Sequence, residues 1–259
     1  MIKQLIALAI IAFSLNSPFT YANKIEVKVG GYLFPPFVQI DSHDSSGLTH
    51  DLIDLFNQQQ SEFFFIFVPT SPKRRYSDFK RGLFDAVFFE NINWSWDKDK
   101  LDASQVFLSG GEAFFTHNIE GRDDDYFNVL NGKSIVAILG YHYHFLNNVT
   151  DTKTLKEQYN IKFVNSPDTA LNQVVNSKSD IGIATYSYLQ QQIKLNPQLK
   201  QTLLISQKFD QTYEHTILIR KKHPLSINKI NTLLNKIQNN GSLNHILEKY
   251  GISPLAQTP

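Results

Sequence analysis

The chain has 259 residues, 42% of them hydrophobic and 19% charged, a composition typical of one large globular domain or two small ones rather than of a disordered protein. Lysine plus arginine total 25 and aspartate plus glutamate total 24, so the net charge of +1 argues against a nucleic-acid-binding protein that relies on a basic surface. The absence of cysteine from the sequence excludes disulfides, thiolate zinc sites, iron–sulfur clusters and cysteine nucleophiles.

The N-terminus predicts an export signal. Lys3 precedes an apolar run over residues 5–15, and the small residues Thr20 and Ala22 follow it. The run is shorter than the roughly 20 residues that a membrane-spanning helix needs, which disfavours a membrane anchor. We therefore expect cleavage after Ala22 and a mature protein in the periplasm.

The mature chain alternates predicted strands and helices. Alternating or continuous apolar residues predict strands over 25–29, 63–68, 85–89, 134–139, 180–184 and 216–219. Apolar residues at helical spacing predict helices over 47–60, 76–81, 167–177, 186–195, 224–238 and 242–250, the last capped by Ser242. Strands separated by helices predict a mostly parallel sheet with helices on both faces, and the pattern suggests two similar α/β halves.

In sheets of this kind, ligands bind beyond the carboxyl ends of the strands. The predicted strands place four loops there, which are residues 30–37, 90–97, 140–144 and 185–187. Three of these loops are rich in aromatic residues. The pattern therefore indicates a ligand site with aromatic walls.

Six segments carry a family resemblance through their order and spacing. They read VKVGGYLFPPFV, GLTHDLIDLFN, RGLFDAVFF, LNGKSIVAILG, SKSDIGIATYSYL and INTLLNKIQNNGSLNHILEKYG. Together they cover nearly the whole mature chain, and they resemble the periplasmic solute-binding proteins of family 3, the amino-acid-binding type.

The resemblance implies the type II periplasmic-binding-protein fold, in which two α/β lobes are joined by a two-strand hinge. Lobe 1 would comprise residues 23–113 and 213–259, and the inserted lobe 2 would comprise residues 114–212. A small-molecule ligand would lie between the lobes, and hinge closure would trap it. The family further implies delivery to an inner-membrane ABC permease or a membrane sensor, and we expect a monomer that binds no nucleic acid and is not an enzyme.

Two positions depart from the family pattern. Amino-acid-binding members hold the ligand carboxylate with an arginine, and counting 12 residues from Asp85 gives Asp97 here. They hold the ligand ammonium with an aspartate, and counting five residues from Asp180 gives Thr185. The resemblance therefore implies that the fold and the binding role are kept, while the solute is not an ordinary α-amino acid.

The candidate ligand-binding residues lie in or beside the four loops. They are Tyr32, Phe34, Arg74, Glu90, Asn91, Asn93, Trp94, Asp97, Tyr141, His142 and Thr185. Phe34 keeps the family's aromatic stacking position, and Trp94 could stack on a ligand or pack in the core. Asp97 could face a cation or be a solvated loop carboxylate, and either Arg74 or Arg75 could replace the missing arginine.

An enzyme on the same fold, dehydratase- or lyase-like, is the second hypothesis. In it, Glu90, Asp97 and His142 would act as acid or base in one cleft. His142 and His144 could share one face of a strand, but the sequence offers no third ligand at a convincing spacing, so no metal site is predicted. No phosphate loop, nucleophile elbow or dinucleotide motif occurs in the sequence, and no cofactor is expected.

Overall fold

The computed structural model describes residues 24–40 and 44–252. The predicted export signal and its cleavage after Ala22 lie outside the described residues. Within the described part of the chain, no helix is both long enough and apolar enough to cross a membrane.

The strands and helices alternate along the described chain. The strands are β1 (Ile25–Gly31), β2 (Gln39–Ile40), β3 (Ser45–Ser46), β4 (Phe63–Pro69), β5 (Ala86–Glu90), β6 (Leu101–Ala103), β7 (Leu108–His117), β8 (Ile135–Ile138), β9 (Ile161–Val164), β10 (Ile181–Thr185) and β11 (Leu203–Arg220). The helices are α1 (Leu48–Gln59), α2 (Arg75–Lys80), α3 (Thr152–Gln158), α4 (Pro167–Val175), α5 (Tyr186–Leu195), α6 (Leu199–Thr202), α7 (Ile227–Asn239) and α8 (Ser242–Lys249).

Nine of the described strands form a curled sheet in the order β4-β1-β5-β11-β7-β10-β8-β9, with β6 paired to β11, and β2 and β3 form a separate pair. On one side β1 pairs in parallel with β4 and β5, and on the other β8 pairs in parallel with β9 and β10. The long strands β7 and β11 are antiparallel to each other and connect the two parallel groups. The mixed α/β architecture is therefore two-lobed, with parallel strands in each lobe and two long strands between them.

The helices form where apolar residues repeat on one face. In α7, Ile230, Leu233, Leu234 and Ile237 are buried, and the Ser226 hydroxyl accepts a hydrogen bond from the Lys229 amide at the N-terminus. The same spacing buries one face of α1, and the strands between the helices contribute nearly continuous apolar runs. The two lobes thus share a core that follows the sheet.

Some elements differ from the sequence prediction. The strand predicted over 216–219 is the end of β11, which has 18 residues, and β7 and β9 were not predicted. Ser242 does not cap α8, because the N-cap position is Gly241, in the left-handed conformation at φ +76°. Glycine adopts that conformation without the clash that a Cβ atom would cause, which favours glycine at this turn.

Close packing at Gly182 joins β10 to β7. A Cβ atom on Gly182 would lie 2.2 Å from Cζ of Phe115, its partner residue across the two strands. The Phe115 ring is fully buried, so it has no free space to move into.

We expect Gly182→Ala to lower the free energy of unfolding by about 1–3 kcal/mol, because the added methyl group overpacks this contact. Urea denaturation of Gly182→Ala, Phe115→Leu and the double variant measures the effect. In the double variant the smaller side chain accommodates the methyl group, so its loss should be less than the sum of the single losses. Additive losses would contradict the proposed clash.

Candidate ligand-binding cleft

A small cavity lies where the loops after β1, β5 and β8 meet strand β7. Its lining consists of Tyr32, Phe34, Arg75, Trp94, Glu112, Tyr141 and His142. The cavity volume is about 10 Å³, which is room for about one water molecule. A solute larger than water can therefore bind here only after the walls move apart.

The walls of the cavity are mostly aromatic. The Phe34 ring lies edge-to-face with Trp94 and Tyr141, at centroid distances of 6.0 and 5.5 Å, and is stacked with Tyr32 at 5.9 Å. These rings are nearly fully buried. The arrangement offers ring faces and edges to a bound solute, as expected for a site that holds an apolar or cationic group.

The loop after β1 positions Phe34 through backbone hydrogen bonds. The Phe34 carbonyl accepts hydrogen bonds from the amides of Phe37 and Val38, which closes a tight turn. The carbonyls of Pro36 and Phe37 accept from the first amides of α1, Leu48 and Thr49. Because these amides have no partner within the helix, the loop both caps α1 and fixes the ring of Phe34 at the cavity.

Arg75 and Glu90 form a buried ion pair beside the cavity. Arg75 Nε lies 3.7 Å from Glu90 Oε1, and both side chains are nearly inaccessible to solvent. The guanidinium lies against the rings of Tyr32 and Tyr76, at 4.7 and 4.4 Å from their centroids. Trp96 donates its indole N–H to Glu90 Oε2 at 2.8 Å, and burial raises the pKa of Glu90 above its usual range.

Glu112 is a second buried carboxyl, in the middle of β7. Its Oε1 accepts a hydrogen bond from the Thr185 hydroxyl at 3.2 Å and lies 3.5 Å from the Tyr213 hydroxyl. Its Oε2 is buried and has no hydrogen-bond partner among the described residues. Burial raises the pKa of Glu112 to about 8, because water is excluded from the charged form.

The loop after β8 reaches across the cavity to the other lobe. The Tyr141 hydroxyl donates to the carbonyl of Leu33 at 2.8 Å, and His142 Nε2 lies 3.2 Å from the Ser95 hydroxyl. Burial and the nearby charge of Arg75 lower the pKa of His142 to about 4, so its ring is neutral at pH 7. These contacts hold the two sides of the cavity together.

The sequence matches the family described as bacterial extracellular solute-binding proteins, family 3, over residues 27–253. The chain belongs to this family. No curated protein matches the sequence.

Solved structures of similar fold agree with this assignment. An ancestral arginine-binding protein bound to arginine superposes with a TM-score of 0.68 at 20% identity, covering 87% of this chain and 98% of that chain. The GluR0 ligand-binding core from Nostoc punctiforme in complex with L-glutamate has a TM-score of 0.67 at 19% identity, with coverage of 88% and 100%. An ancestral amino acid-binding protein described as a precursor of cyclohexadienyl dehydratase has a TM-score of 0.65 at 20% identity, with coverage of 87% and 95%.

In this family 3 protein, most of the candidate residues come together. Those that line the cavity are Tyr32, Phe34, Trp94, Tyr141 and His142. Glu90 and Thr185 are buried directly behind the lining, where each contacts a charged residue of the cavity. Asn91 is buried and accepts the Asn93 amide at 2.8 Å, so it shapes the loop that carries Trp94.

Three of the candidates lie elsewhere. The side chains of Arg74, Asn93 and Asp97 are exposed and are not part of the cavity lining. Arg75, the first residue of α2, lines the cavity, whereas Arg74, its N-cap, points to solvent, because adjacent residues at the start of a helix point about 100° apart. Asp97 lines a separate hollow on the outer surface, among lysine side chains.

Glu112 was not among the sequence candidates. The signal for it is an acidic residue within the run SGGEAFF, which would otherwise be a buried strand. Glutamate is rarely buried unless it is paired or functional, so recognition of β7 as a strand would have singled out Glu112.

The geometry also bears on the enzyme hypothesis and on a metal site. Glu90, Asp97 and His142 would have to share one cleft to act as acid and base, and the exposed position of Asp97 separates it from the other two. His142 is buried while His144 is exposed at the start of a short 3₁₀ helix, so the two do not share a face. Within residues 24–40 and 44–252, no group of three or more metal-ligating side chains is arranged to hold a metal ion.

We expect Arg75→Met to destabilise the protein by about 3–5 kcal/mol, because it leaves the Glu90 carboxylate buried without its cation. The neighbouring variant Arg74→Ala is the control, and as an exposed change it should alter the free energy of unfolding by about 0.5 kcal/mol or less. Denaturant unfolding measures both, and adding Glu90→Gln to Arg75→Met should restore part of the loss. Equal effects of the two arginine variants would contradict the ion pair.

The raised pKa of Glu112 also predicts a pH dependence of the free energy of unfolding. Its pKa is about 8 in the folded protein and has its ordinary value of 4.5 in the unfolded chain, so the folded state retains a proton that the unfolded state has lost. The stabilisation present below about pH 4.5 is therefore lost as the pH rises towards 8.

We expect Glu112→Gln to gain stability relative to the unmodified protein as the pH is raised from 5 to 8, because glutamine has no such proton to lose. Urea denaturation at several pH values measures this difference. Glu214→Gln, the same change at an exposed position of β11, is the control and should track the unmodified protein. A constant difference between Glu112→Gln and the unmodified protein would show that the carboxyl titrates normally.

Proposed function

We propose that this protein is an exported, non-catalytic solute-binding protein that captures a small polar solute between its two lobes. The observation that carries the proposal is the cavity itself, since loops from both ends of the sheet converge on it with aromatic walls and buried polar atoms that have no hydrogen-bond partner in the described part of the chain. Buried polar groups are nearly always paired in folded proteins, and a solute with polar groups would pair them.

We propose that lobe 1 comprises residues 23–113 and 213–259 and that lobe 2 comprises residues 114–212. Both boundaries fall within the long strands, between Ala113 and Phe114 in β7 and between Thr212 and Tyr213 in β11. Near these points the strands pair with each other, Gln211 with Glu112 and Thr212 with Gly111. Two paired strands that cross between lobes can bend together, which suits a hinge.

The proposed cellular role follows from family membership together with the predicted export signal. The mature protein, cleaved after Ala22, would reside in the periplasm as a monomer and present its solute to an inner-membrane ABC permease or to a sensor protein. Proteins of similar fold bind arginine and glutamate, which are solutes of the size that a cleft between two small lobes can enclose.

We propose that the solute is not an ordinary α-amino acid. The positions where amino-acid-binding members place an arginine and an aspartate hold Asp97 and Thr185, and the charges near the cavity come instead from Arg75, Glu90 and Glu112. Because these charges lie on α2, β5 and β7, their arrangement differs from the one that the family pattern uses for an α-carboxylate and α-ammonium pair.

A thermal-shift screen of the mature chain tests the binding role. The panel is amino acids, polyamines, nucleobases and organic acids, and a ligand at 100 times its Kd should stabilise the protein by about 2.7 kcal/mol through mass action. We expect one solute class to raise Tm and the standard α-amino acids to leave it unchanged. Strong stabilisation by a standard α-amino acid would refute the proposed specificity.

Phe34→Ala tests whether the cavity is where the solute binds. We expect this variant to bind the stabilising solute at least tenfold more weakly, because the ring forms one wall of the site. Phe64→Ala removes a half-exposed ring from β4, away from the cavity, and is the matched control. Calorimetric titration of both variants, with circular dichroism to verify folding, gives the comparison, and unchanged affinity in Phe34→Ala would place the site elsewhere.

A further inference from the structure

We propose that the solute carries a cationic amine and no carboxylate, and that the Glu112 carboxylate on β7 binds this amine inside the aromatic walls of the cavity. The inference rests on the proposed solute-binding function and specifies the chemical class of the ligand.

The first argument is the balance of charge around the cavity. Arg75 lies within 3.7 Å of Glu90, and each compensates the charge of the other. Glu112 forms no ion pair with any lysine, arginine or histidine in the part of the chain that the structure describes. When Glu112 is ionised, the cavity therefore has an excess of one negative charge, which a cationic solute would neutralise.

The second argument is the hydrogen bonding of Glu112. Its Oε1 faces the hydroxyls of Thr185 and Tyr213, whereas its Oε2 is buried, has no partner within residues 24–40 and 44–252 and belongs to a side chain that lines the cavity. An ammonium group has three donors and no acceptor, so it can supply the missing hydrogen bond together with the missing charge.

The third argument is the aromatic character of the cavity walls. Phe34, Trp94 and Tyr141 line the same cavity as Glu112, and Tyr213 lies edge-to-face with Trp94 at 4.8 Å. Aromatic faces attract cations, and the attraction is stronger where water is excluded. A carboxylate at the base of an aromatic enclosure is thus suited to an alkyl- or arylalkyl-ammonium ion.

The surroundings of Arg75 argue against a carboxylate on the ligand. The guanidinium donates to the carbonyls of Pro72 and Gly140 and is covered by two tyrosine rings, and its Nε, which makes no hydrogen bond within the described residues, faces the Glu90 carboxylate at 3.7 Å. A ligand carboxylate would have to displace these partners while lying near Glu112. A simple amine avoids both costs.

The binding of an amine should release a proton. Glu112 faces Tyr213 and Asp210 from β11, Tyr141 and Tyr143 from the loop after β8, and Thr185 from β10, with Arg75 on the far side of the cavity. Burial keeps much of Glu112 protonated at pH 7, and the histidine beside the cavity, His142, is neutral. A bound cation favours the ionised carboxylate, so the proton leaves as the amine enters.

Isothermal titration calorimetry of the mature chain tests the proposal with matched probes. Phenethylamine and putrescine are the amines, phenylacetate and 1,4-butanediol are their anionic and neutral counterparts, and arginine represents the α-amino acids. We expect at least one amine to bind, with the counterparts and arginine at least tenfold weaker. Titrations in phosphate and Tris buffers, which differ in ionisation enthalpy, should show that a proton is released.

Two glutamate variants provide the controls. Glu112→Gln should lower the affinity for the amine roughly thirtyfold or more and abolish the proton release, because it removes one partner of a buried charge pair. It should still fold, since glutamine matches the shape of the protonated side chain. Glu214→Gln, at an exposed position of β11, should bind like the unmodified protein.

The experiments distinguish failure of the amine proposal from failure of the proposed solute-binding role. Tight binding of the carboxylate, the diol or arginine, with both amines inert, would refute the amine proposal and leave the solute-binding role intact. Amine binding that is equal in Glu112→Gln would refute the role of Glu112. Binding of none of the probes would refute the amine proposal, while the solute-binding role would fail only if the broader thermal-shift panel also gave no ligand.

Discussion

The antiparallel pairing of β7 with β11 is the contact on which the rest of the structure depends. The parallel strands of one lobe reach this pair through β5, and those of the other lobe reach it through β10. The same pairing carries Glu112 to the base of the cavity, opposite Gln211 of β11 and Thr185 of β10. The strand β7 therefore both connects the lobes and contributes the Glu112 carboxyl to the site. Bending of β7 and β11 would move Glu112 relative to the loops that cover it.

Desolvation determines how the charged groups of the cavity behave. Arg75 and Glu90 are buried together, so each lowers the cost of burying the other, and the remaining polar atoms are partly satisfied by Trp96 and by backbone carbonyls. Glu112 has hydroxyl partners and no cation partner among the described residues, so burial raises its pKa to about 8 even though the hydroxyl hydrogen bonds lower it in part. Glu90 thus has a cation of the same chain beside it, whereas Glu112 needs a cation from outside to become fully ionised at neutral pH.

The sequence allowed the fold to be predicted in most of its parts because apolar periodicity directly reports which faces are buried. It allowed Phe34, Trp94 and Tyr141 to be identified because they follow predicted strands in loops that such sheets direct at ligands. The choice between Arg74 and Arg75 could not be made, since it depends on the residue at which α2 begins. Glu112 escaped notice because the two glycines and the acid before Ala113 obscure β7, and its burial depends on pairing with β10 and β11, which are distant in sequence.

The small size of the cavity and the contacts that close it bear on how the cleft would open for a solute. Polar contacts across the cavity include the hydrogen bonds from Tyr141 to Leu33 and from Arg75 to Gly140 and the contact of His142 with Ser95, and each contributes about 1 kcal/mol. Opening the cleft would break these bonds, and it would also return water to Glu112, which would offset part of the cost. A solute that pairs with Glu112 would add a charge and a hydrogen bond to the closed arrangement alone, and so it would shift the balance towards closure.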